Sequence, residues 1–281
     1  MPIQSRPQSV DGTLPGDIAA APQDEEALLR TPGSELAIRR MSDPVPLDRQ
    51  IYLRNRLIEF NSEHSKVVQS FRNIRTLLMQ QAQGNFVTLV ASVRSGAGTS
   101  FVARNLAAAF AFDENRTAML IDCNRDSPSV DQLLGGRVRY GLTDLLDAPE
   151  NVNVADVIYG TGIPRLRAVP VGRKRQKPIE FFSTPRMRSF VDVIRNRYPD
   201  RYIVVDAPAL DASADARILA NWCDYVVLVV RYGEVSREEL LEAVATFPRE
   251  KFVGVVFNDF DIDTPRPSSS KALATRERHA Q

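Results

Sequence analysis

The stretch that most constrains this chain is residues 86–106, FVTLVASVRSGAGTSFVARNL. Its first five residues form an apolar run rich in Val and Thr, which predicts a buried strand over 86–90. A turn of small residues follows, Ser92-Val93-Arg94-Ser95-Gly96-Ala97-Gly98. Apolar residues then recur at helical spacing (Val102, Leu106, Ala109, Phe110), which predicts a helix over 99–112. Strand, glycine turn and helix together aim backbone N–H groups and a helix N-terminus at phosphate. A phosphate-binding loop of this kind places a lysine before its final Ser/Thr, to reach the β- and γ-phosphates. Here that place is held by Thr99, followed by Ser100. The cradle is predicted and its cation is missing.

The rest of the chain alternates strands and helices. Apolar runs at 117–122 (TAMLID), 166–171, 202–206 (YIVVD), 225–230 (YVVLVV) and 252–257 predict strands. Helical periodicity is predicted over 64–79, 128–134, 141–146, 186–198, 212–222 and 236–246. The run at 225–230 lacks polar alternation, as in a strand buried on both faces. The pattern predicts an α/β fold, a doubly wound and mostly parallel sheet with ligands at the carboxyl ends of its strands. Residues 1–50 are rich in proline and lack aromatics, so they read as a disordered tether, in which 25–30 could form a transient helical turn. The folded domain is predicted over 51–263, with a disordered tail over 264–281. A basic loop, 172–178, ends on proline.

A net charge of +1 gives no field that would favour nucleic acid. The two cysteines, Cys123 and Cys223, are far apart, and no CxxC or Cys/His cluster exists, which argues against structural zinc and fits a reducing compartment. Neither a transmembrane run nor the basic and apolar regions of a signal peptide is found, so a cytosolic location is expected.

Three places could carry chemistry. In the first, N–H groups of residues 96–100 would surround a phosphate, and the Ser100 hydroxyl would be placed for Mg²⁺. The others are Asp122 and Asp206, each closing a hydrophobic strand. Singly, such an aspartate caps the loop or helix that follows. As a pair behind a phosphate loop, they would hold the metal or its waters and orient the attacking group. Arg94 offers a guanidinium in place of the lysine, or is simply a solvent-facing loop residue. On the 64–79 helix, Val67, Val68, Phe71, Ile74 and Leu78 share one face, while Arg72 and Arg75 lie off it. That leaves two solvated arginines or a subunit contact.

With these residues in hand, the chain resembles the bacterial tyrosine kinases, cytoplasmic P-loop kinases linked to polysaccharide co-polymerases in capsule and exopolysaccharide export. The likeness runs from about residue 67 to 260. Besides the loop it rests on LIDCNRDSP (120–128), GLTDLL (141–146), VADVIYGTGIPRLRAVPVG (154–172), KPIEFFSTPRMRSFVDVIRNRY (177–198) and YIVVDAPAL (202–210). It implies a P-loop NTPase fold and binding of ATP and Mg²⁺. Ser95, Gly96, Ala97, Gly98, Thr99, Ser100 and Phe101 would form the nucleotide loop, and Asn258 would meet the base. Ser100, Asp122 and Asp206 would be the metal site, the two aspartates also serving catalysis. Gln69, Arg72 and Arg75 would match the family's oligomerisation motif, with Gln69 where that motif has a glutamate.

The departures form a pattern. Thr99 replaces the lysine, Asn124 a second aspartate, and no tyrosine follows Tyr232, where the family carries its autophosphorylated tail. The expected function is that of a catalytically impaired, kinase-like partner in exopolysaccharide or capsule export. It would bind a membrane polysaccharide co-polymerase (the chain-length determinant) or a related active kinase, at the inner face of the membrane, and could form homo-oligomers. Two alternatives stand beside it: an active tyrosine autokinase or ATPase with a divergent loop, and a partitioning-type ATPase whose signature lysine would fall at Arg94.

Overall fold

The computed structural model describes residues 46–59, 65–82, 84–172 and 181–259. The proposed tether up to residue 45, most of the basic 172–178 loop and the 264–281 tail fall outside the described residues. A seven-stranded sheet organises the rest. In chain order its strands are β1 (Val87–Ser92), β2 (Thr117–Asp122), β3 (Tyr159–Gly160), β4 (Leu166–Val169), β5 (Arg201–Asp206), β6 (Tyr225–Arg231) and β7 (Phe252–Asn258). Their spatial order is β3-β4-β2-β5-β1-β6-β7, and every pairing is parallel except the short β3–β4 edge. Strands β1, β2 and β5 are buried along their whole length, which explains why they read as unbroken apolar runs.

Helices cover both faces. On one lie α1 (Arg49–Arg54), α2 (Lys66–Gln81) and α3 (Thr99–Ala111), the last buried along most of its length. Their core includes Phe71, Leu78, Val102, Leu106 and Phe110. The opposite face carries α5 (Leu142–Asp147), α6 (Pro185–Arg197), α7 (Asp215–Leu219) and α8 (Arg237–Ala245), packed on Leu89, Met119 and Ile203. The short α4 (Val130–Leu133) follows β2.

The predicted strands stand where expected, and three departures have local causes. The 212–222 helix shortens to α7 plus a 3₁₀ turn over Ala220–Trp222. Leu210 N–H is held by Ser92 O (2.9 Å), and Ala209 O takes N–H from Ala212 and Ser213 (both 3.1 Å), so the chain is still turning when it reaches 213. Val67 is 48% exposed and leaves the core face of α2 to Val68, Phe71 and Leu78. Helix α1 was not anticipated; it begins one residue after Asp48, whose carboxylate caps Gln50 N–H (2.7 Å).

Candidate functional site

The parallel register does the first part of the work. Asp122 and Asp206 are direct partners across the β2–β5 ladder, and Val90 of β1 lies opposite Asp206 on the other side. Both carboxylates therefore reach the carboxyl edge of the sheet side by side, next to the loop that leaves β1. Gly96 and Gly98 bend that loop with φ of +82° and +92°, backbone that a side chain would strain. At Gly98 the approach is also close: a Cβ would lie 2.2 Å from Asn258 Nδ2. Asn258 donates that amide to Ala97 O (2.9 Å) and so braces the loop from the end of β7.

Above the aspartates lies a cleft of about 340 Å³ lined by the loop, Ser100, Phe101, Arg104, Asn124, Asp126, Ser127 and the 208–212 segment. The carboxylates sit beneath its floor, each with no exposed surface. They differ in how they are held. Asp122 accepts three backbone N–H groups: Asn124 at 2.9 Å on Oδ1, Ser129 at 2.7 Å and Val130 at 3.0 Å on Oδ2. Asp206 accepts the Ser129 hydroxyl on Oδ2 (3.1 Å), whereas its Oδ1 is buried with no hydrogen-bond partner. Burial pushes both acids up, Asp122 to about 6 and Asp206 to about 7. For Asp206 the Asp122 charge pushes the same way, against the pull of the Ser100 and Ser129 hydroxyls and of Arg104. For Asp122 the three N–H groups oppose the rise. Ser100, Asp122 and Asp206 thus meet in one place.

Several predicted site residues have other employment. Ser95 gives its N–H (3.1 and 3.2 Å) and hydroxyl (3.0 Å) to Asp211, so its donors do not point at a ligand. Asn258, expected at the base, donates its amide to the loop backbone at Ala97 O. Thr99 is almost buried at the head of α3. Arg94 pairs with Glu239 on α8, away from the cleft. Arg75 is not a solvated arginine: its Nη1 donates to Ala109 O at the end of α3 (2.9 Å). Phe101 stands edge-on to Phe71 (5.9 Å), tying α3 to α2 at the rim of the cleft.

Two residues were missed. Ser129 links the two acids, with its N–H on one and its hydroxyl on the other. Arg104 lines the cleft and interacts electrostatically with both aspartates. Its spacing was legible: it lies four residues after Ser100, one turn along the same helix face, and helical side chains lean toward the N-terminus.

For a divalent cation the donor set is thin. Among the described residues no group of three or more His, Cys, Asp or Glu could hold a metal. Ser100 Oγ and the unpartnered Asp206 Oδ1 remain, Asp122 is committed to backbone, and Asn124 brings an amide. One carboxylate plus a nucleotide's phosphates is the minimum that Mg²⁺ takes in phosphate sites.

A parallel sheet with a glycine-bent phosphate loop between an interior strand and a buried helix defines the P-loop NTPase class. No family model matches the chain. It is 28% identical over 195 residues to the tyrosine-protein kinase CpsD of Streptococcus agalactiae, covering 69% of this chain and 82% of that protein. It is 33% identical over 204 residues to EpsB of Ralstonia solanacearum (71% of this chain, 26% of EpsB). It is 26% identical over 255 residues to the succinoglycan biosynthesis transport protein ExoP of Rhizobium meliloti (86% and 31%). The chain thus spans under a third of the two longer relatives. In fold it matches the VpsO kinase domain with a TM-score of 0.61 at 24% identity, covering 72% of this chain and all of that one. A ParA-family ATPase from Chlorobium tepidum shares the fold with a TM-score of 0.52 at 20% identity, covering 64% of this chain and 76% of that one. The chain belongs to the bacterial tyrosine kinase family. Among the described residues no helix is long and apolar enough to cross a membrane.

Proposed function

We propose that this protein is a catalytically impaired member of that family, working in capsule or exopolysaccharide synthesis as a nucleotide-holding regulatory or assembly partner. The observation that carries this reading is the loop itself. Its glycine geometry and its brace are intact, but Thr99 stands where the transfer cation belongs and the neighbouring Arg94 is committed to Glu239. Phosphoryl transfer is catalysed by positioning and charge compensation, and a hydroxyl supplies no charge. Losing one such stabiliser costs about 10²–10³ in rate. The family, and the kinship with a succinoglycan transport protein, support the polysaccharide setting. The partner proposed is the cytoplasmic end of a membrane polysaccharide co-polymerase, or a related active kinase, which would hold this cytoplasmic chain at the membrane. Gln69 and Arg72 on α2 are the residues offered to a second copy, with Arg75 anchoring the helix to α3.

When bound with nucleotide, Mg²⁺ would neutralise phosphate charge; Ser100 and Asp206 are the residues that would face it. The chain's own contribution is to orient phosphate with the 96–100 N–H groups.

The test is phosphotyrosine formation on a tyrosine-bearing peptide with ATP and Mg²⁺, comparing the natural chain with Thr99→Lys. The natural chain is expected to give background signal and the variant about 10²-fold more. Strong transfer by the natural chain, unchanged in Thr99→Lys, would overturn the reading. An active enzyme using Arg94 would first have to release Glu239, and Arg94→Ala would then abolish turnover.

A further inference from the structure

We infer that the Arg104 guanidinium has taken over the charge-compensating place beside Asp206, so that the cleft holds a nucleotide's phosphates without requiring Mg²⁺. This rests on the reading above that the cleft is a phosphate site. Four observations meet here. Arg104 lines the cleft and is its one basic side chain among the described residues. Its Nε is buried with no hydrogen-bond partner, and no described carboxylate lies within 4.0 Å to make a salt bridge with it. Asp206, beneath it and wholly buried, keeps one oxygen unpartnered. The third usual source of negative charge for a metal, position 124, is an amide.

Among the described residues five buried side-chain atoms lack a hydrogen-bond partner, on Arg75, Thr88, Arg104, Asp131 and Asp206, and each such group calls for an explanation. Two of them, of opposite sign, meet at one cleft, Arg104 on its wall and Asp206 beneath its floor. They are close enough for each to alter the other's proton affinity: the aspartates favour the charged guanidinium, against burial, and the guanidinium favours the Asp206 carboxylate. Yet they are not joined as an ion pair, so the guanidinium remains available to an anion. Arginine suits this post because its planar fork meets two phosphate oxygens at once and it stays charged when buried. A dication brought beside it would be repelled, and only one carboxylate oxygen is free to offset that repulsion. The geometry also accounts for retention without transfer. The charge sits one turn along α3 from Ser100, over the acids, and not at Thr99.

The experiment is calorimetric titration of the full chain with ATP, in EDTA and in excess Mg²⁺, for the natural chain, Arg104→Ala and Arg104→Gln. The natural chain is expected to bind in EDTA, with Mg²⁺ changing its Kd by less than about threefold. Both variants are expected to lose roughly ten- to a hundredfold in EDTA, the worth of a hydrogen bond to a charged group. Added Mg²⁺ should restore much of that loss, which also demonstrates that the variants are folded. The natural chain binding only with Mg²⁺ would overturn the inference and leave the phosphate cleft standing. So would variants that bind in EDTA as tightly as the natural chain. No binding by the natural chain in either condition would overturn the phosphate reading itself.

Discussion

The two edges of the sheet are made from the same strands and treat buried charge in opposite ways. At the amino edge the charged side chains are paired, and one hydroxyl, Thr88 Oγ1 of β1, is buried without a partner. Thr117 Oγ1 donates to Asp200 (3.1 Å) and accepts from Arg201 Nε (3.2 Å), while the Arg201 guanidinium stacks on Tyr198 (3.8 Å). Asp224 accepts Val87 N–H (2.8 Å) and meets Arg195 (2.9 Å). A groove of about 680 Å³ opens there, twice the volume of the cleft at the other edge, yet Lys251 and Trp222 on its wall are satisfied by carbonyls of Ala220 and Phe182 (2.9 and 2.8 Å). At the carboxyl edge two acids lie side by side, one oxygen of Asp206 and the Nε of Arg104 have no partner, and the loop turns at two positive-φ glycines. Volume would choose the first edge. Unpaired buried charge chooses the second, because a charged group buried without a partner calls for an explanation that a lone hydroxyl needs less.

The contrast predicts mutations of opposite sign, and this is the largest effect. Asp224→Ala leaves Val87 N–H and Arg195 without their acceptor and should destabilise the fold by about 1–3 kcal/mol. Asp206→Asn removes a carboxylate that the folded state holds unwillingly and should stabilise the ligand-free chain at pH 8, on the order of 2 kcal/mol. Urea unfolding of both variants measures this directly, and destabilisation by Asp206→Asn would erase the contrast.

Next comes a pH dependence. The two site acids bind a proton more tightly folded, with values raised to about 6 and about 7, than unfolded, near ~4. Their favourable contribution is complete below the unfolded value and is lost as pH rises through 6 and 7. The ligand-free chain should therefore lose stability between pH 5 and 8, at up to about 1.4 kcal/mol per pH unit for each group, and Asp206→Asn should flatten that slope. Denaturant midpoints across that range check it; a slope unchanged by the substitution would detach it from this pair. The smallest effect is expected at Arg94. Its pair with Glu239 is exposed and outside the cleft, so Arg94→Ala should shift neither the melting temperature nor ATP affinity measurably.

Much of this was open to a reader of the sequence. Strands buried on both faces announce themselves as unbroken apolar runs, so β1, β2, β5 and β6 and the two aspartates that end β2 and β5 were found from composition and order. Two residues of β3 carry no period at all, and α1 is too short to show one. The fates of Ser95, Arg75 and Asn258 depend on Asp211, Ala109 and Ala97, partners 116, 34 and 161 residues away, which spacing along the chain does not encode. Arg104 is the instructive omission. Its separation from Ser100, one helical turn, places it on the same face of α3 as the site.

On this proposal a phosphate-holding cleft has outlived the capacity to transfer phosphate. Phosphorus NMR of ATP with the full chain tests both halves in one sample. The β- and γ-phosphate resonances are expected to shift or broaden as protein is added, and then to persist for hours with Mg²⁺ present. Resonances untouched by the protein, or a γ-phosphate signal that passes quickly to inorganic phosphate or phosphotyrosine, would contradict it.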